Sequence, residues 1–127
     1  MAYLCILSIF YIMNQSTIHI DVQLDDTRMV ETIKWQASDS TVENAQKAKA
    51  MMLSFWDGAE KTALRIDLWT KEMMVDEMAD FFYQTYMTMA DTYERATRHM
   101  EIVEDMKKFA HDFYDKFREK QMKENKA

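Results

Sequence analysis

From Thr17 the chain alternates strictly: Ile18, Ile20, Val22 and Leu24 point one way, while Thr17, His19, Asp21 and Gln23 point the other. That is the period of a strand with one buried face. Asp25-Asp26-Thr27 is turn chemistry, because short Asx side chains bond their own backbone. A second alternating run sets Glu31, Ile33, Trp35 and Ala37 against Thr32, Lys34 and Gln36, so the two runs predict an antiparallel hairpin. Ser40 and Glu43 have the spacing of a capping box, and Ala45, Ala48, Met52 and Phe55 follow at helical spacing. This predicts a helix that Gly58 closes as a left-handed C-cap. Thr62 to Trp69 predicts a third strand, with Leu64, Ile66 and Leu68 on one face.

From about Met74 the pattern is helical. Met78, Phe82, Thr85, Met89, Thr92 and Ala96 form one seam, and Val103, Met106, Ala110, Phe113 and Phe117 another. Neither glycine nor proline separates them, but the charges do. Acid at Glu72, Asp76 and Glu77 gives way to base at Arg95 and Arg98; the sign then resets at Glu101, Glu104 and Asp105 and ends in Lys116, Arg118 and Lys120. Acid at a helix start and base at its end complement the macrodipole. The repeated pattern predicts two helices that break between Thr97 and Met100.

The expected class is therefore α+β, in the order β-β-α-β-α-α. The first helix is long enough to cross back along the sheet and lay the third strand parallel to the second, with the first strand between them. That arrangement is a three-stranded, mainly antiparallel sheet with helices on one face. Residues 13–127 read as a single domain, preceded by an apolar extension over residues 1–12. This stretch, MAYLCILSIFYI, lacks the basic start and small-residue cleavage site of a signal peptide. It is also too short for a membrane span. The reading preferred here makes Met13 the initiator.

Composition narrows the chemistry. The 127 residues include one glycine and no proline, so no glycine-rich phosphate loop can be written. A single cysteine, Cys5, excludes an internal disulfide and a cysteine-based zinc site. The net charge of −6 disfavours nucleic acid and anionic lipid. The balance is that of a reduced, cytoplasmic, soluble domain.

The histidines are His19, His99 and His111, and none lies in a Glu-x-x-His or His-Glu-x-x-His pattern. His111 and Asp115 are one helical turn apart, which reads more simply as a solvated pair than as half a metal site. His19 could share the open sheet face with Asp21, Lys34, Arg65 and Asp67, but it has no nucleophile beside it. No serine elbow is present. The expectation is no catalytic residue, no metal and no cofactor.

What stands out is soft apolar material: 13 methionines, 7 phenylalanines, 6 tyrosines and 3 tryptophans. Methionine suits surfaces that adapt to several partners. Trp69 falls on the face of its strand read as wet, with Met73 and Met74 close behind, and Tyr83 and Tyr86 lie off the main helical seam. These five residues are the candidate interaction surface.

Several of these segments have a familiar look. KAKAMMLSFWDG (Lys47 to Gly58), TALRIDLWTKEM (Thr62 to Met73), VDEMADFF (Val75 to Phe82) and TMADTYERAT (Thr88 to Thr97), with IKWQASD at Ile33 to Asp39, closely resemble the GldC family of gliding-motility proteins. The resemblance covers about residues 16 to 120. It departs at residues 1–12, which have no counterpart, and at Met74, where the family commonly has proline. The resemblance implies a small protein of Bacteroidota that assists the envelope machinery moving surface adhesins, which overlaps with protein secretion. It brings no catalytic residues.

The functional expectation is thus a non-enzymatic accessory protein whose partners belong to the gliding or secretion machinery, with self-association left open. The alternative is a small acidic secretion-chaperone-like module that binds a client segment.

Overall fold

The computed structural model describes residues 14–38 and 45–126. The expected capping box at Ser40 and Glu43 and the apolar extension at residues 1–12 lie outside the described residues. The chain divides after Glu72 into two compact units, one of strands and one of helices.

In the first unit, β1 (Ile18–Leu24) and β2 (Val30–Ala37) form the predicted antiparallel hairpin. Its register pairs Ile18 with Ala37, Ile20 with Trp35 and Val22 with Ile33, so the apolar positions of both strands share one face, as the alternation requires. Glu31 is an extra residue between the pairs Gln23–Thr32 and Leu24–Val30, a bulge that takes it out of the alternation. Asp25 builds the turn: its Oδ1 accepts from the Thr27 N–H at 2.8 Å, the Thr27 hydroxyl at 2.7 Å and the Met29 N–H at 2.9 Å. Arg28 takes the left-handed conformation, φ 66°. At the open end the Thr17 N–H donates to the Ser38 hydroxyl at 2.9 Å.

The helix expected from Ser40 to Gly58 is not there over its described part. Residues 46–57 are instead β3 (Gln46–Ala48) and β4 (Ala50–Asp57), separated only by a bend at Lys49. β3 extends the hairpin into the three-stranded sheet β1-β2-β3, setting Ala48 against Ile33. Past the bend the chain leaves that sheet, and β4 pairs with β5 (Thr62–Trp69) in a separate two-stranded ribbon.

The predicted third strand thus has the expected bounds but a different neighbour, and among the described residues every pairing is antiparallel, with no crossover. Alanine, methionine and leucine in this segment suit a helix in isolation, but pairing against β5 overrides that local preference. Gly58 is not a left-handed cap either. It lies in the β4–β5 turn at negative φ, and Lys61 takes the positive φ of 54°. Asp57 Oδ1 closes this turn by accepting from the Ala59 and Glu60 N–H groups.

The buried anchor of the strand unit is Ile33, 1% exposed. Trp35, expected to be buried with it, keeps 39% of its surface exposed. Its cross-strand neighbours are Ile20 and the polar Gln46, whereas Ile33 lies between Val22 and Ala48.

The second unit is a helical hairpin, α1 (Val75–Thr97) and α2 (Met100–Lys126). The break falls where the charge reset places it. Arg98, at φ 61° and ψ 20°, caps α1 in the left-handed conformation and donates its N–H to the Glu94 carbonyl. Asp76 and Glu77 open α1 and Glu101 opens α2, each in the first turn, where acid offsets the positive helix end. At the other end of α1's first turn, the Glu77 carboxylate accepts from the Met74 N–H at 3.4 Å.

Small residues let the helices approach: Ala79, Ala90, Val103 and Ala110 are all buried. Lys107 bridges to Asp91 across the hairpin at 3.0 Å, which raises the Lys107 pKa. The Tyr114 phenol bonds the Asp80 carboxylate, and that carboxylate pushes its pKa up.

Candidate functional site

The chemistry-bearing side chains of the strand unit form surface ion pairs. His19 Nε2 lies 3.1 Å from Asp21 Oδ1, both side chains more than half exposed. Arg65 holds Asp67 through two bonds of 2.9 and 3.1 Å, and this pairing raises the Arg65 pKa. The charged residues considered together in the sequence are divided between sheets: His19, Asp21 and Lys34 belong to β1–β2, and Arg65 and Asp67 to β5. Alternate residues of one strand face the same way, which is why each pair forms within its own strand rather than between strands.

Asp25 is the best-held carboxylate. Lys71 pairs with it at the end of β5, and this, with the Met29 N–H and the Thr27 hydroxyl, keeps its carboxyl well below the usual range. Asp25 in turn raises the Lys71 pKa. The pair clips the β1–β2 turn to the chain just past β5, a structural task.

His111 bonds the Tyr83 hydroxyl at 3.3 Å through Nδ1. Among the described residues, no group of three or more His, Cys, Asp or Glu side chains is placed to hold a metal ion. A cavity of about 320 Å³ in the strand unit is lined by Glu31, Lys47, Lys49, Thr70 and Glu72, among others. It presents both signs of charge and so selects neither anion nor cation.

The apolar surface is more distinctive. On β4–β5, Phe55 stands opposite Leu64 and Leu53 opposite Ile66, giving one apolar face. Trp56, opposite Ala63, and Trp69, opposite Ala50, lie on the other face. Phe55, Trp56, Leu64, Ile66 and Trp69 are each more than half exposed, Trp56 at 69% and Trp69 at 59%. Five large apolar side chains presented by a single hairpin exceed the scattered hydrophobes normal for a surface.

Of the five residues proposed from sequence, Trp69 belongs to this ribbon. Met74 is 60% exposed and Met73 half-buried, just ahead of α1. Tyr83 and Tyr86 are half-buried inside the helical hairpin. Tyr83 packs on Tyr114 and His111, and Tyr86 on Phe109 and Phe113. The structure places these two in hairpin packing and Trp69 on the strand ribbon.

Phe55 and Trp56 escaped the candidate surface because residues 46–57 read as helix, and Leu64 and Ile66 because they fall on the apolar face of their strand, opposite Trp69. Two signals were available: AMMLSFWD is an apolar run of strand length, and it ends in Asp57-Gly58, a strong hairpin signature.

Fold and surface together define a small α+β protein made of two antiparallel sheets and a helical hairpin, with an exposed aromatic ribbon. The chain belongs to the GldC-like family: the family model described as gliding motility-associated protein GldC-like matches residues 30–119. It is accordingly a gliding-motility-associated protein. Comparison with curated proteins and with solved structures gives no match. Among the described residues, no helix is long and apolar enough to cross a membrane.

Proposed function

We propose that this protein serves gliding motility as a non-enzymatic, cytoplasmic accessory protein, binding another protein of the gliding or secretion machinery through the β4–β5 ribbon. One observation carries the reading: Phe55, Trp56, Leu64, Ile66 and Trp69 are all more than half exposed on one hairpin. Leaving such side chains in water gains nothing for the chain alone. Covering them contributes about 25 cal/mol per Å² of apolar area, and tryptophan is enriched among residues that dominate binding energy.

A second reading, a chaperone-like grip on a client segment, draws support from the edge of β5. β5 pairs with β4 only, and no strand of the described residues pairs with its other edge. An extended client could add there as a further strand, with main-chain bonds giving affinity and ribbon side chains giving selectivity.

Photo-crosslinking in gliding cells tests the proposal. A crosslinking residue at Leu64 or Trp56 should trap a discrete protein, and one at Glu119 on exposed α2 should not. Equal labelling at all three positions, or none at the ribbon, would rule the ribbon out. A folded partner trapped in one register favours the first reading; a ladder of unfolded substrates favours the second.

A further inference from the structure

β5 is an edge strand: among the described residues only β4 pairs with it. It pairs over its whole length, Thr62–Trp69, without a register shift. The chain has no proline, so neither a bulge nor a proline blunts this edge, as sheets ordinarily arrange. The main chain shows which residues face outward. The Thr70 N–H donates to the Lys49 carbonyl at 2.8 Å, continuing the β4–β5 register. Thr70 and every second residue before it therefore turn their backbone groups toward β4. Ala63, Arg65, Asp67 and Trp69 turn theirs to the open edge.

We propose that this edge pairs with the same edge of a second copy, β5 antiparallel to β5, on a two-fold axis at Ile66. The register follows from the residues. A ladder joins outward-facing residues to outward-facing residues, so the axis passes through a residue and not between two. An axis at Arg65 would oppose two arginines, and one at Asp67 two aspartates; like charges directly opposite are destabilising. Moving the axis farther either way shortens the ladder and separates Arg65 from Asp67 of the other copy.

An axis at Ile66 sets Arg65 against Asp67 of the second copy on both sides of the centre. On the same face Trp69 lies opposite the small Ala63. On the other face Leu64 meets Leu68, and Ile66 meets its own counterpart. Charge, size and apolar pairs all share one centre, as an isologous contact requires. Within each strand Arg65 already holds Asp67 at 2.9 and 3.1 Å, both side chains 43% exposed. Across the axis each guanidinium then lies between two carboxylates, and the charges alternate in sign.

This pairing goes beyond the proposed function and leaves the faces of the ribbon uncovered. It joins two ribbons into one sheet, β4-β5-β5-β4, and so doubles the face that carries Phe55, Leu64 and Ile66. It does occupy the edge on which a client segment would add, so the two occupants exclude each other.

Sedimentation equilibrium of the purified full chain, with no other protein present, tests this. The wild type should show twice the 15.2 kDa chain mass. Arg65→Glu alone opposes acid to acid across the axis, and Asp67→Arg alone opposes base to base. Each should be monomeric, with a dissociation constant raised about tenfold or more. An equimolar mixture of the two pairs every acid with a base and should dimerise. Both positions are exposed, so circular dichroism should be unchanged. Disulfide capture reads the register. In a Cys5→Ser background, Ile66→Cys puts two thiols across a non-hydrogen-bonded pair, whose Cα spacing of about 4.5 Å suits a disulfide. Mild oxidation should give a covalent dimer. Leu64→Cys leaves its thiols four residues out of register, roughly 13 Å apart, and should not link. A wild type that is monomeric at all concentrations overturns the proposal and leaves partner binding by the ribbon faces standing. A dimer that withstands both charge variants, or that Leu64→Cys links as readily as Ile66→Cys, overturns it too.

Discussion

Replacing Ile33 by alanine tests the packing of the strand unit more severely than replacing the larger Trp35. Ile33 is 1% exposed, between Val22 and Ala48. The substitution removes three carbons, costing about 2.4 kcal/mol in lost transfer energy at about 0.8 kcal/mol per methylene. The cavity left behind brings the expected loss to about 3–4 kcal/mol, inside the range for such truncations. Trp35 keeps 39% of its surface in water, so Trp35→Ala forfeits only part of the roughly 3–5 kcal/mol of a buried aromatic; about 2 kcal/mol is expected. The smaller side chain should therefore cost more. All three tryptophans, Trp35, Trp56 and Trp69, precede Glu72, so fluorescence follows the strand unit while circular dichroism at the helical minimum follows the hairpin. With a urea dependence of about 1 kcal/mol per molar for a unit this small, Ile33→Ala should lower the fluorescence midpoint by roughly 3 M, or leave the strand unit unfolded without denaturant. A midpoint shift under about 1 M, or a greater loss from Trp35→Ala, would refute the packing described here.

Three further outcomes follow from single contacts. Asp25 has its pKa depressed by Lys71, so its contribution to stability is complete above the unfolded value and fades as pH falls; the melting-temperature gap between wild type and Asp25→Asn should hold at neutral pH, begin to narrow below about pH 4 and go on narrowing as the pH falls further. Ala110 is fully buried between the helices, so Ala110→Leu should overpack the hairpin by about 1–3 kcal/mol, seen in circular dichroism melts. Gly58 has negative φ and nothing within 4 Å of an added Cβ, so Gly58→Ala should be neutral or stabilise by up to about 1 kcal/mol in thermal melts.

Strands bounded by turn chemistry and by clean alternation were legible from the residues alone. Ile18 to Leu24, Thr62 to Trp69 and the Asp25 turn all follow from side-chain period and Asx geometry. The two-helix division was legible from charge, because the dipole rewards acid at each start. Residues 46–57 were not, because their apolar run fits either period and only the distant partner β5 decides between them. That one misreading removed Phe55 and Trp56 from the candidate surface and put Gly58 on a helix end. Tyr83 and Tyr86 looked spare because the α1 seam read from spacing is offset from the buried line, Ala79 and Ala90, that meets α2. Half a turn of rotation separates a packing residue from a surface one, and only contact with α2 sets that rotation.

The claim that the ribbon binds a partner stands or falls on one measurement: colony spreading of a gliding strain carrying Trp56→Ser/Leu64→Ser in place of the wild-type chain. Both side chains are more than half exposed, so the variant should accumulate to wild-type levels and melt within a few degrees of the wild type. The account predicts that spreading is lost at normal protein level. Normal spreading at that same level would contradict it.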